Sequence, residues 1–357
     1  MLNAQEADRS LPEIHTSDRI VFKRCRRKWD HGSYMRQNLI PDRVNDKLWL
    51  GTGIHFALSE YYEKGVHPMV AFNEWCKAEV TRIQETVGLW EEQMGMIQEA
   101  IDLGLGMMQH YAIWSRIEDD KYFNEVVATE HEFCVPVVDP SGNSIGVNYV
   151  GRIDGIVKDV TGGLWLLEHK TAAVVDTTKL PLDEQVGSYI WAAQQIYGVQ
   201  LEGVIYNILR KRVPRQPEVL KNGHLSQNKS IDTTYEVYLK ALNDHYAALN
   251  KQVPIDDYRG ILDHLQEKGN TFFVRERVRR NQYEIKNQGL RIYHEHVDMS
   301  RPDLVLYPNP TKDCAWDCDF RSVCMAMEDG SDPGYLLSSM FKKREDKAAT
   351  ALVDTEA

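Results

Sequence analysis

Nowhere in its 357 residues does the chain carry an apolar run long enough to cross a bilayer, and no segment recurs at a fixed period. These absences exclude a membrane-spanning helix and a solenoid. A Gly-x-x-x-x-Gly-Lys-Ser/Thr phosphate loop is also missing, which sets aside a nucleotide-driven helicase. Nothing at the start resembles a secretion signal, so a cytoplasmic protein is expected. With no secretion signal at the start and a chain of this size, the six cysteines are not expected to form a disulfide framework. Positive charge is in deficit: 42 Lys and Arg face 53 Asp and Glu, a formal −11, which disfavours indiscriminate binding to polyanions. An apolar content of 43% suffices for a substantial core, in one large domain or two smaller lobes.

The informative stretch lies mid-chain. Residues 147–157 (VNYVGRIDGIV) and 164–170 (LWLLEHK) are β-branched, aromatic and apolar, and Thr161-Gly162-Gly163 between them signals a turn. A hairpin is predicted. Side chains alternate along a strand, so Glu168 and Lys170 share a face and His169 points away. Asp154, on the partner strand, is within reach of the same patch. Two carboxylates beside one ammonium form a site for a hard cation with a fixed positive neighbour. An isolated Glu-x-Lys is usually a solvated strand face. Here the upstream acid and a downstream helix over 179–197, with Gln185 and Tyr189 four residues apart on one side, favour a functional site.

This order of acid, turn, Glu-x-Lys and Gln-x-x-x-Tyr helix resembles the RecB-like exonucleases of the PD-(D/E)xK superfamily. The resemblance implies a restriction-endonuclease-like α/β core, a small mixed sheet flanked by helices. It also implies metal-dependent hydrolysis of DNA phosphodiesters. Asp154 and Glu168 are then ligands of Mg²⁺ or Mn²⁺, with the backbone carbonyl of His169 as a third. Lys170 orients or deprotonates the attacking water, or stabilises the transition state. Gln185 and Tyr189 hold DNA near the metal. Gly51-Thr52-Gly53-Ile54-His55 resembles the family's glycine-rich step opening a helix whose histidine ligates the metal, which makes His55 a further ligand. Glu130 resembles a family acid on the first strand of the sheet; a solvated glutamate is the alternative.

The cysteines are a separate signal. Cys76 and Cys134 read as small buried residues in a helix and a strand. Cys314, Cys318 and Cys324 fall within eleven residues, and Cys25 sits in a basic segment near the start, a pattern that reads as a metal or cluster site. The layout is similar to the iron–sulfur clasp of RecB-like nucleases, with one cysteine before the core and three after it. The first spacing departs from that pattern by one residue. Four thiolates suit a structural [4Fe–4S] cluster and would equally suit zinc.

Organisation along the chain follows from these pieces. An N-terminal helical region is expected over 1–124, with a loose terminus up to residue 16. The nuclease core follows over 125–212, and an insertion loop with helices over 213–300. The clasp spans 301–327, and a short helix with a flexible tail ends the chain at 328–357. Basic clusters around Arg24–Lys28, at Arg210, Lys211 and Arg212, and at Arg275, Arg277, Arg279 and Arg280 are solvated faces or parts of a DNA groove. Of these, Arg210, Lys211 and Arg275 are the candidate DNA contacts. The set is similar to the RecB and AddB nuclease domains and the RecB-like CRISPR-associated exonucleases. It implies an exonuclease acting on single-stranded DNA or DNA ends, with recombination or replication proteins as possible partners. A structure-specific or nicking endonuclease, and a non-catalytic DNA-binding accessory protein, are the competing expectations.

Overall fold

The computed structural model describes residues 7–42, 46–86 and 91–344, and shows a mixed α/β protein. In chain order, β1 (Glu13–His15) leads into α1 (Thr16–Arg24), α2 (Arg26–Gly32) and β2 (Leu39–Pro41). A helical layer follows: α3 (Asp46–Lys64), α4 (Pro68–Thr86) and α5 (Glu91–Tyr122). Next come β3 (Glu125–Val138), β4 (Ser144–Lys158), β5 (Leu164–Ala172), α6 (Glu184–Tyr197) and β6 (Gly203–Arg210). The remainder is α7 (Tyr235–Ala248), α8 (Ile255–Lys268), β7 (Phe273–Arg279), α9 (Gln282–Met299), α10 (Arg321–Asp329), α11 (Gly334–Met340) and β8 (Phe341–Lys343).

Six strands form one sheet in the order β1-β4-β5-β6-β7, with β3 also paired to β4. β3 runs along one edge of β4 from Val138–Ser144 to Glu125–Lys158. The other edge of β4 is shared: β1 pairs with Asn148–Val150, and β5 pairs only with Gly155–Lys158. Beyond Leu167, β5 leaves β4 and continues alongside β6 as far as Ala172–Arg210. The sheet therefore splits beside residues 151–154, and the split creates the candidate site.

Helices cover both faces, which explains why the first half of β5 and most of β6 read as continuous apolar runs. Leu166, Val204, Tyr206 and Ile208 pack under α6 and α9 together with Ile190, Ile196 and Ile292. On the opposite face, Leu209 and Phe273 join Ile54, Leu58, Phe72 and Met107 of the helical layer. Gly53 and Gly104 allow that layer to close. A Cβ on Gly53 would lie 2.5 Å from the Trp75 ring, and one on Gly104 would lie 2.1 Å from Phe72. The glycine-rich step is thus inside α3, five residues past its start, and does not open the helix as expected. Its glycines serve helix–helix approach.

The β4–β5 hairpin turns on Asp159. Its Oδ1 accepts from Thr161 N (2.9 Å), Thr161 Oγ1 (2.6 Å) and Gly163 N (3.0 Å), and its Oδ2 accepts from Trp165 Nε1 (2.9 Å). Burial opposes its charge, but the bonds from Thr161, Trp165 and Gly163 prevail and bring its pKa down to about 2. The folded-state value lies below the ordinary aspartate value of about 3.9, so this stabilisation is present above that value and is lost as pH falls toward 2. Asp159→Ala is expected to cost about 2–3 kcal/mol at neutral pH, the scale of lost hydrogen bonds to an ionised group. Urea unfolding of both proteins should show the gap narrowing as pH drops below about 4. A gap independent of pH would contradict this account.

Several expectations fail in the fold. Residues 13–15, taken as loose terminus, are β1, paired in parallel with β4. Residues 273–279, noted only for their arginines, are the edge strand β7, antiparallel to β6. Arginine stems cover the flank of the sheet there, with Arg277 4.8 Å and Arg279 5.5 Å from the Trp165 ring centroid, which masks the strand signal. The segment 213–232 is irregular as expected, apart from a Val219–Leu225 bridge, but it is folded down. Leu225 is buried among Tyr238, Tyr246 and Tyr258 of α7 and α8. The tail beyond 344 lies outside the described residues.

Candidate active site

Asp154 occupies the split in the sheet. With β5 diverging, the His169 backbone N–H donates to Asp154 Oδ2 at 2.7 Å rather than to a β4 carbonyl. The other oxygen, Oδ1, lies 3.1 Å from His55 Nδ1, on the α3 helix above. Glu130 falls opposite Asp154 on β3, between the Thr129–Gly155 and His131–Ile153 pairs. A register shift just upstream and a φ of +41° at Glu130 itself turn its side chain toward the same point. A left-handed backbone at a non-glycine residue is strained, and such strain collects at functional sites. Glu130 Oε1 lies 4.0 Å from His55 Nδ1, and His55, Glu130 and Asp154 offer three ligand atoms within 4.8 Å of one another.

Glu168 and Lys170 share a face of β5, as the alternation predicts, with Lys170 Nζ 3.2 Å from Glu168 Oε1. The same ammonium sits 3.1 Å from Asp183 Oδ2. Asp183 also caps α6, its Oδ1 accepting from Gln185 N at 3.0 Å and Val186 N at 3.3 Å. The aspartate thus links the helix N-terminus to the lysine. Sequence reasoning passed over it, although an Asp directly before a helix is a standard N-cap signal. His169 points to the far face and is buried there, as expected.

The site is rich in negative charge held away from water. Burial, then Asp154, raises the pKa of Glu168, while Lys170 opposes the rise. Burial and Asp154 likewise raise Glu130. Burial works against Asp154 as well, but His55 beside it holds that carboxyl below its ordinary value. His55 is pushed up to about 9: burial opposes its charge, and Asp154, Glu168 and Glu130 outweigh burial. Glu130 Oε1 and Glu168 Oε2 are buried with no hydrogen-bond partner. The orphaned Glu130 oxygen, with His55 and Asp154, matches the donor set of a hard divalent cation; Glu168, with its own orphaned oxygen, lies outside that close group.

Gln185 and Tyr189 lie on one side of α6, joined by a 3.3 Å bond from Nε2 to the phenol oxygen. The Tyr189 ring is only 8% exposed and packs edge-on against Phe133 at 5.3 Å, so it offers no platform for stacking a base. The proposed phosphate contacts are not gathered here. Arg210 is held by Asp232 at 2.9 and 3.0 Å. Lys211 continues past β6, where its backbone N–H bonds Ala172 O at 2.7 Å. Arg275 is a correction: its side chain has 0% exposure and pairs with Asp119 beneath the sheet, so it cannot reach a DNA backbone. The groove that opens onto the metal-competent triad, about 930 Å³, is instead lined by Arg9, His15, Thr52, Arg152 and Thr171. Arg152 was legible in the sequence only as the neighbour of Asp154. It bonds Glu132 at 3.0 Å and Glu130 at 3.4 Å.

Cys25, Cys314, Cys318 and Cys324 line one cavity of about 480 Å³, together with Arg27, Lys28 and Phe320. Among the described residues, no three of these thiols come within 4.8 Å of one another. The two ends of the chain also meet through contacts of their own. Arg24 pairs with Asp317 at 2.8 Å, Arg27 with Glu328 at 2.6 Å, and β2 pairs with β8.

Comparison with known proteins adds little. No family model matches the chain, and no curated protein matches it. Among solved structures it is similar to one described as "Crystal structure of SSO0001", at 12% identity and a TM-score of 0.32, over 90% of this chain and 89% of that one. A likeness at that level carries no argument about function.

Proposed function

We propose that the chain is a metal-dependent deoxyribonuclease of the PD-(D/E)xK type, with a restriction-endonuclease-like core and exonuclease action of the RecB-like kind. The observation that carries the reading is the convergence at the sheet split. His55, Glu130 and Asp154 meet there, two carboxylate oxygens lack partners, and a lysine stands on the adjoining strand. His55, Glu130, Asp154 and Glu168 would hold Mg²⁺ or Mn²⁺. When bound, such a cation acidifies a water and neutralises charge growing on the phosphate.

The chain's own groups supply the rest. Lys170, fixed between Glu168 and Asp183, is aimed to orient a water or donate a hydrogen bond to a phosphoryl oxygen. Glu168 and Asp183 keep the ammonium charged against its burial. Asp154 is locked by the His169 N–H on one oxygen, which leaves the other directed at His55 and the ligand position. Arg9 and Arg152 line the groove and add positive charge beside a strand lying across the site.

For the cysteine cavity we propose a structural [4Fe–4S] cluster. Zinc at about 2.3 Å from each sulfur would hold thiolates about 3.8 Å apart. The four cysteines share one cavity of about 480 Å³, which has room for the larger group.

The reading is tested with end-labelled DNA in the presence of Mg²⁺ or Mn²⁺, comparing linear with covalently closed circular substrates. Linear single strands should be degraded, linear duplex more slowly and circles hardly at all, with little sequence preference. Higher salt should depress the rate as counterion release weakens. Rapid cutting of circular single strands would replace the exonuclease with an endonuclease. No hydrolysis of any DNA with either metal would remove the nuclease reading.

A further inference from the structure

Behind the catalytic strand runs a buried polar chain that the proposed reaction does not use. The His169 ring is enclosed on the α3–α5 side of the sheet, stacked on Tyr62 with centroids 5.7 Å apart and planes 13° from parallel. Its Nδ1 lies 2.9 Å from Asn207 Nδ2, and the same amide nitrogen donates to Tyr111 OH at 2.9 Å. Tyr111 OH lies 2.6 Å from Tyr62 OH, which donates to Asp119 Oδ2 at 3.1 Å. Arg275 bonds both phenols and pairs with Asp119.

The donors run outward from Asn207. Asp119 can only accept, so Tyr62 donates to it and Tyr111 donates to Tyr62. The Tyr111 oxygen is then left to accept from the Asn207 amide. The second amide hydrogen of Asn207 faces His169 Nδ1, which must accept, so the ring proton sits on Nε2. Asn207 occupies the position beside His169 on the neighbouring strand and is fully buried. An amide placed there, among the buried and mostly apolar residues of β6, needs a reason other than packing.

We infer that Asn207 is a positioning residue for the metal-ligating carboxylate Asp154, acting through His169. By holding the imidazole, Asn207 fixes the β5 backbone at the point where it leaves β4. The His169 N–H, aimed at Asp154 Oδ2 from that point, sets the orientation of the carboxylate. The buried Arg275–Asp119 pair anchors the far end of the chain. The inference rests on the metal site proposed above.

The test is Mn²⁺ binding to the full-length protein without DNA, followed by electron paramagnetic resonance, beside the ¹⁵N chemical shifts of the His169 ring. A His169→Gln variant assigns the ring signal. Wild type should show a neutral ring protonated at Nε2. Asn207→Ala should weaken Mn²⁺ binding by about tenfold or more, the usual effect of removing a group that orients a metal ligand. Asn207→Asp, of equal size but able only to accept, should move the ring proton to Nδ1. Tyr111→Phe, which keeps the core filled, should weaken Mn²⁺ binding in the same direction and less. Asn207→Ala or Tyr111→Phe with lower thermal stability and unchanged Mn²⁺ affinity would overturn the inference and leave Asn207 a packing residue. If wild type binds Mn²⁺ no better than Asp154→Ala does, the metal site itself fails, and the inference fails with it. An Nδ1-protonated wild-type ring would reverse the donor direction and refute the relay as drawn.

Discussion

Glu168→Gln and Lys170→Ala should each reduce DNA hydrolysis by a hundredfold or more, on the order expected for losing one element of charge stabilisation in a metal-assisted reaction. Their effects on stability should differ. Glu168 is 3% exposed, its Oε2 lacks a partner, and its carboxyl is pushed up by burial and by Asp154. Replacing it with a neutral isostere removes a buried like-charge contact, so Glu168→Gln should melt at or above the wild-type temperature. Lys170→Ala takes the neighbouring ammonium from both Glu168 and Asp183, and should melt lower. Inactivation with rising stability is the signature of a residue kept for chemistry. Near-normal turnover in either purified variant would sink the active-site assignment, and a Glu168→Gln protein that unfolds would make that glutamate structural.

How much of this was legible depends on whether a residue's position follows from local pattern. The β4–β5 hairpin was readable because Thr161-Gly162-Gly163 is a turn whatever surrounds it, and strand alternation then placed Glu168 with Lys170 and apart from His169. The α6 helix and its Gln185–Tyr189 pair follow from helical spacing in the same way. The split in the sheet was not readable. It depends on β1 taking the edge of β4 that β5 vacates, and three residues near the N-terminus carry no signature of doing so. Glu130 joins the site through a register shift and a left-handed backbone, neither of which a β-strand pattern announces. Arg275 misled for a related reason. An arginine run suggests a solvated basic face, but Arg275 and Arg279 share one face of β7 that is only partly covered: Arg275 is enclosed against Asp119, while Arg279, at the end of the strand, remains exposed. Charge counted along a sequence says nothing of what packs over the face that bears it.

The cysteine clasp gives the other large effect. Protein prepared without oxygen should be brown, with broad visible absorption and close to four iron atoms per chain. Cys25→Ser and Cys324→Ser should each lose most of that iron, although the two residues lie at opposite ends of the sequence, because both line the same cavity. The consequence for folding follows from loop closure. A group tying Cys25 to Cys314 and Cys324 closes nearly the whole chain, and loop entropy grows slowly with length, so the cross-link is worth several kcal/mol in an ideal chain. The observed contacts reduce that figure in practice. Arg24–Asp317, Arg27–Glu328 and the β2–β8 pair already hold the ends together, and Phe320, Val323 and Phe341 bury a small core of their own there. The variants should therefore fold, melt at lower temperature and lose protease resistance first near residues 300–344, while the sheet and its metal site remain formed. Mn²⁺ binding at His55 and Asp154 should survive in Cys324→Ser even as the clasp loosens. A colourless protein holding one zinc would replace the cluster and keep the structural role. Soluble, active protein with neither iron nor zinc would leave the four cysteines without a shared function.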